Sequence, residues 1–175
     1  MDSVTSFIYG MSMMFFSMMA FLFWRKGKEM LFRMIMWLMI VVDLQLLKDM
    51  VFFLIYGFDN EHAWYLTSSL DMMIIPFYSF VLMELVKPGW FRWVKALMLE
   101  LPFLLLPVFY IFTHNIIWFY VLSVWGAIYG CSTFILLIFM IRRYHRQLKE
   151  RFSYQENINL NWLLAILNTF FLILF

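Results

Sequence analysis

Cysteine, glycine, proline and charge are all scarce in this 175-residue chain, and each scarcity removes a class of answer. The lone cysteine, Cys131, cannot form an internal disulfide, which excludes a disulfide-stapled secreted scaffold. Charged residues make up 14%, against about 25% in a soluble domain, so neither a soluble enzyme nor a disordered tail fits. The chain has six glycines and no Gly-rich phosphate loop, no His-Glu-x-x-His and no Gly-x-Ser-x-Gly, so no catalytic site, metal or cofactor is expected. The start, Met1-Asp2-Ser3-Val4-Thr5-Ser6, lacks the basic region of a signal peptide, and the first apolar run is read as a retained span. No internal repeat points to an inverted transporter architecture.

What is abundant is apolar surface: 65% of residues, including 22 Phe, 9 Tyr and 8 Trp. A 21.4 kDa globule cannot hide that much of it, so the expected solvent is lipid. The apolar runs are continuous rather than alternating, which predicts an all-α polytopic bundle and not a barrel. Five complete spans fall at about 7–24, 31–56, 64–86, 96–112 and 116–141, with a sixth at 158–175. Together they form a single transmembrane domain. The last segment stops without a polar flank, which points to a truncated chain over one that ends naturally there.

Charge fixes the expected topology. Arg25, Lys26, Lys28 and Arg33 follow span one; Lys87, Arg92 and Lys95 follow span three; Arg142, Arg143, Arg146, Lys149 and Arg151 follow span five. The intervening loops carry Asp59, Glu61, His62 and His114 but no Lys or Arg. The positive-inside rule then puts the N-terminus outside and the basic segments in the cytoplasm. Trp24, Trp64, Trp90, Trp93, Trp118 and Trp162 sit near span ends, as interfacial anchors do. The segment 142–151 is expected to be a charged loop meeting anionic headgroups, with no direct nucleic-acid binding.

The candidate site is a set of polar residues inside spans: Asp43, Gln45, Lys48 and Asp49 in span two, Ser68 and Asp71 in span three. Ionisable groups in hydrocarbon are costly and mark function or structural pairing. Lys48 lies about 12 Å below the end of span two, and Asp71 about 10 Å below the start of span three. Levels match, so Lys48–Asp71 is the expected interhelical ion pair, with Asp49 its competitor. Asp43 projects from another face, so two partner helices or a wet cavity are required. One reading has the pair only set helix register; the other has Asp43, Lys48, Asp49 and Asp71 line an outward-facing pocket.

Other positions get simpler roles. Glu84 and Glu100 are expected to pair with cations of the nearby basic loop. Pro76, Pro102 and Pro107 each remove a backbone donor and are expected to kink their helices. Ser123, Gly126 and Gly130 form a small-residue face that permits close approach of another helix, in the same chain or in a second copy as a homodimer. The 16 methionines read as lipid-facing filler rather than a Cu(I) site, since span one, where five crowd together, has no Cys or His.

Several stretches resemble a bacterial family of membrane-embedded signalling proteins, whose helices precede an AraC-type helix-turn-helix domain or a histidine kinase domain. They are Asp-Leu-Gln-Leu-Leu-Lys-Asp at 43–49, Met83-Glu84-Leu85 with Lys87-Pro88-Gly89-Trp90, and Glu100-Leu101-Pro102-Phe103. To these is added Phe152-Ser153-Tyr154 with Glu156, Ile158, Leu160, Trp162 and Leu163. The resemblance implies a signal-input module of an inner-membrane regulator, with an outside N-terminus, seven or more spans in odd number, and a cytoplasmic DNA-binding or kinase output domain absent from this chain. A small transporter or accessory protein using its intramembrane Asp residues stays open as an alternative, as does a plain scaffold.

Overall fold

In hydrocarbon every backbone N–H and C=O must find its partner within the segment, and helix does this without a neighbour. The computed structural model describes residues 3–57 and 60–151, which form helices and turns and no strand. The helices are α1 (Ser3–Lys26), α2 (Met30–Tyr56), α3 (Glu61–Asp71), α4 (Ile75–Val86), α5 (Trp93–Thr113) and α6 (Ile117–Arg151). A single 3₁₀ turn, Met72–Ile74, joins α3 to α4, so the six helices make five rods.

Among the described residues four stretches are long and apolar enough to cross a membrane: Val4–Lys26, Glu61–Val86, Trp93–Thr113 and Ile117–Tyr144. They correspond to the expected spans one, three, four and five. The expected second span, 31–56, is the 27-residue α2; at about 40 Å it is long enough, but Asp43, Lys48 and Asp49 interrupt its apolar run and it is not one of those four. The expected sixth span, 158–175, lies outside the described residues.

Two boundaries differ from expectation for physical reasons. The basic segment 142–151 is not a loop: α6 runs 35 residues to Arg151, about 52 Å, because Arg, Gln, Leu, Lys and Glu are good helix formers whether or not lipid surrounds them. Pro76 does not kink a continuous helix but starts a new one. Its missing N–H breaks the α ladder, the chain tightens so that the Ile75 N–H reaches Met72 O, and Pro76 sits in the first turn of α4, where no donor is needed. Pro102 and Pro107, by contrast, stay inside an unbroken α5.

The helices pack in a row that closes at one end: α1 on α2, α2 on the α3–α4 rod, and that rod on both α5 and α6. With lipid outside as apolar as the side chains inside, contact rather than hydrophobicity holds such a bundle. The contacts are dense at the end carrying the basic turns. Met34 and Leu38 of α2 meet Phe80, Val81 and Ala96, and Met83 and Val86 of α4 meet Leu137 and Ile141 of α6. Elsewhere large apolar side chains are exposed, among them Met11, Met14 and Met18 of α1, and Val124, Ile128, Leu136 and Phe139 of α6.

The small-residue face of α6 is used within the chain. A Cβ on buried Gly126 would meet Ile75 at 3.7 Å and Phe103 at 3.8 Å, so its partners are α4 and α5 rather than a second copy. Gly130 is half-buried, and Ser123 donates back to Phe119 O at 2.9 Å.

Candidate functional site

Alternate faces of α2 carry the polar residues, and two neighbours receive them. On one side, Ser17 of α1 donates to Asp43 Oδ2. On the other, Lys48 Nζ donates to Asp71 Oδ1 at 2.6 Å and to Thr67 O at 3.0 Å. The expected Lys48–Asp71 pair is formed, and its expected competitor joins it: Asp49 Oδ1 lies 2.9 Å from the same ammonium. One Lys therefore serves two carboxylates. Asp49 Oδ1 is near the charge but makes no directed hydrogen bond, and Asp43 Oδ1 is likewise buried without one.

Gln45 has a different task. Its Nε2 donates to Leu70 O at 3.2 Å and to Asp71 O at 3.4 Å. In an unbroken α-helix the Ile75 N–H would serve Asp71 O; here it serves Met72 O because of Pro76. The Gln45 amide adds a side-chain donor at the 3₁₀ turn, tying the helix break to the polar face of α2. Ser68 differs from expectation: its neighbours Thr67 and Ser69 hold the polar contacts of that turn. Thr67 does so through its carbonyl to Lys48, and fully buried Ser69 through a 2.7 Å bond to Tyr65 O.

A cleft of about 330 Å³ opens beside this cluster, between α1 and α3 across the end of α2. Tyr9 and Thr5 come from α1, Asp49 and Phe53 from α2, Trp64 and Thr67 from α3. Of the four residues expected to line a pocket, Asp49 does so; Lys48 and Asp71 form the network behind it, and Asp43 turns to α1. Gly57 closes the rim with φ +71°, ψ −175°, a backbone shape that glycine alone adopts without strain. Asn60 then caps α3 through its side chain, accepting the Ala63 N–H at 3.2 Å.

Three further polar arrangements escaped the sequence reading. Glu84, 4% exposed, pairs with no cation; its two oxygens accept the backbone N–H groups of Gly89 at 2.7 Å and Phe91 at 2.9 Å, folding the turn at 87–92 back over the end of α4. The signal was there in Pro88-Gly89, a turn placed to return the chain to Glu84, and Gly89 has φ +81°. Trp90 follows that turn inward against Phe80, with Lys95 over its face at 6.0 Å, so it packs rather than anchors. Ser79 joins Tyr129 across α4 and α6 while donating to Pro76 O, the carbonyl one turn back. At the opposite end, buried Tyr110 meets His62, and Tyr65 and Trp64 pack at tilted angles against Phe119, so α3, α5 and α6 share an aromatic cap.

His62 and His114 come together with ring centres 6.4 Å apart. Among the described residues no group of three His, Cys, Asp or Glu is arranged to hold a metal ion. A second, shallower groove of about 690 Å³ runs between α5 and α6; its lining of Leu101, Leu105, Val121 and Ile128 is the kind of surface acyl chains cover. Comparison with family models, curated proteins and solved structures gave no match.

Proposed function

We propose that this chain is the membrane-embedded input module of a signalling protein, in which occupation of the cleft between α1 and α3 shifts α2 and, through it, the far end of the bundle. The carrying observation is the division of α2. One end holds Asp49, Lys48 and Gln45 against α3 beside the cleft; the other wedges Met34 and Leu38 into the core with Phe80 and Ala96. A helix fixed at one end by directional bonds and at the other by packing can pass a displacement along its length. A ligand does so only by binding one packing arrangement better than the other.

In this reading α2 is a fifth span, its charges tolerated because α1 and α3 satisfy them. The bundle sits in a bacterial inner membrane with the N-terminus and cleft outside and the basic turns in the cytoplasm. The resemblance to AraC-type and histidine-kinase membrane regulators supplies the class of output, which would receive the signal beyond α6. No catalysis is assigned to the described residues, whose polar groups are used for packing and for the cleft.

The test fills the cleft without any ligand. Spin labels at Lys87 and Arg143, in a Cys131→Ser background, report the spacing between the α4–α5 turn and the projecting end of α6. Thr67→Phe or Ala63→Phe should move that distance by about 2 Å or more, the size of ordinary helix shifts. An unchanged distance in both folded variants rejects the input-module reading.

A further inference from the structure

We infer that the cleft takes a small organic cation, an ammonium group on a short apolar body. This rests on the reading of the cleft as an input site and names the chemistry of what enters it. Two independent features converge. The first is charge: Asp49 and Asp71 share the single ammonium of Lys48, so this part of the network carries one uncompensated negative charge. Lys48 is drawn toward Asp71 and Thr67 O by its hydrogen bonds. Asp49 Oδ1 is buried 2.9 Å from that ammonium without a hydrogen bond, and Asp49, partly exposed, is the carboxylate on the cleft wall. No Lys or Arg is among the residues lining the cleft to offset it.

The second feature is the wall itself. Tyr9, Phe52, Phe53 and Trp64 come from three helices to line the same space. Aromatic faces carry negative potential and hold alkylammonium groups well where water is excluded. An anionic ligand would meet Asp49 without compensation, and a neutral apolar one would leave it so. The cleft volume, about 330 Å³, lies at the small end for ligand pockets and fits a compact molecule. A bare metal ion would find one carboxylate and no second charged ligand in the lining, too few for a hard cation.

The experiment is equilibrium binding to the full chain in lipid nanodiscs. Choline is the ammonium probe, and 3,3-dimethylbutan-1-ol, which has carbon in place of the charged nitrogen, is its neutral isostere. Saturable choline binding is expected, with the isostere failing to compete. Asp49→Asn should weaken it roughly tenfold and Trp64→Leu several-fold, both in protein that remains monodisperse. If Asp49→Asn does not fold, Trp64→Leu carries the comparison. No saturable binding up to about 10 mM, a millimolar limit that already corresponds to negligible recognition, overturns the inference. Equal competition by the isostere does so too, as does undiminished affinity in the folded variants. Because the spin-label test uses a side-chain wedge, its result stands apart. A shift there without choline binding keeps the input module and removes the cation, whereas choline binding without a shift keeps the site and removes the signalling role.

Discussion

Glu84 at one end of the bundle and the Asp43–Asp49–Asp71 group at the other are both acids inside an apolar protein, yet they end in opposite conditions. Glu84 has a backbone N–H on each oxygen and is almost fully buried; its chemistry is complete. At the other end two carboxylates divide one ammonium, two buried oxygens lack directed hydrogen bonds, and one of the acids borders open space. A charge within a membrane helix is therefore not by itself a sign of function. What separates the two regions is leftover acceptor capacity beside a cavity.

That contrast can be broken most sharply at Glu84. Replacing it with Ala leaves two inward N–H groups without an acceptor and should cost about 3–5 kcal/mol, read as lost folded yield and early thermal unfolding in detergent. Glu84→Gln, which keeps one acceptor, should recover part of that loss. At the other end, Lys48→Met and Asp71→Asn form a double-mutant cycle. The coupling should be about 1 kcal/mol, since polar contacts between membrane helices are modest and Asp71 is partly exposed. Zero coupling would mean the pair does not hold α2 to α3.

Gln45→Leu should cost about the same or a little less, because it removes the side-chain donor that ties α2 to the Leu70 and Asp71 carbonyls at the 3₁₀ turn. Smallest of all is Gly126→Ala. The new methyl would sit at ordinary contact distance from Ile75 and Phe103, so a change within about 0.5 kcal/mol is expected in the same thermal assay. A larger loss would show that α6 packs there more tightly than these distances allow.

The architecture was legible wherever it followed from one-dimensional physics. Runs of apolar residues gave the helices, and counting the rise from each end of the 57–63 turn placed Lys48 level with Asp71. What sequence could not supply is which way a chain bends after it leaves a helix. Glu84 was assigned to nearby cations because charge is visible in a sequence, whereas the N–H groups of Gly89 and Phe91 become its partners only once the turn closes. The Gln45 link needed two facts at once, the helix break at Pro76 and the adjacency of α2, and only the first is local. Gly126 advertised close packing without naming a partner. Polarity alone points to a loop at 142–151, whereas the helix propensity of its residues, continuing α6, decides the outcome.

The whole account turns on which side of the membrane the cleft faces, and cysteine accessibility reads that directly. In a Cys131→Ser background, Asn115→Cys and Lys28→Cys sit at opposite ends of the bundle, beside the aromatic cap and in the α1–α2 turn. In intact cells a membrane-impermeant maleimide should modify Cys at 115 at once and Cys at 28 only after permeabilisation. Immediate labelling at 28 with protection at 115 would invert the bundle and contradict an outward-facing input site.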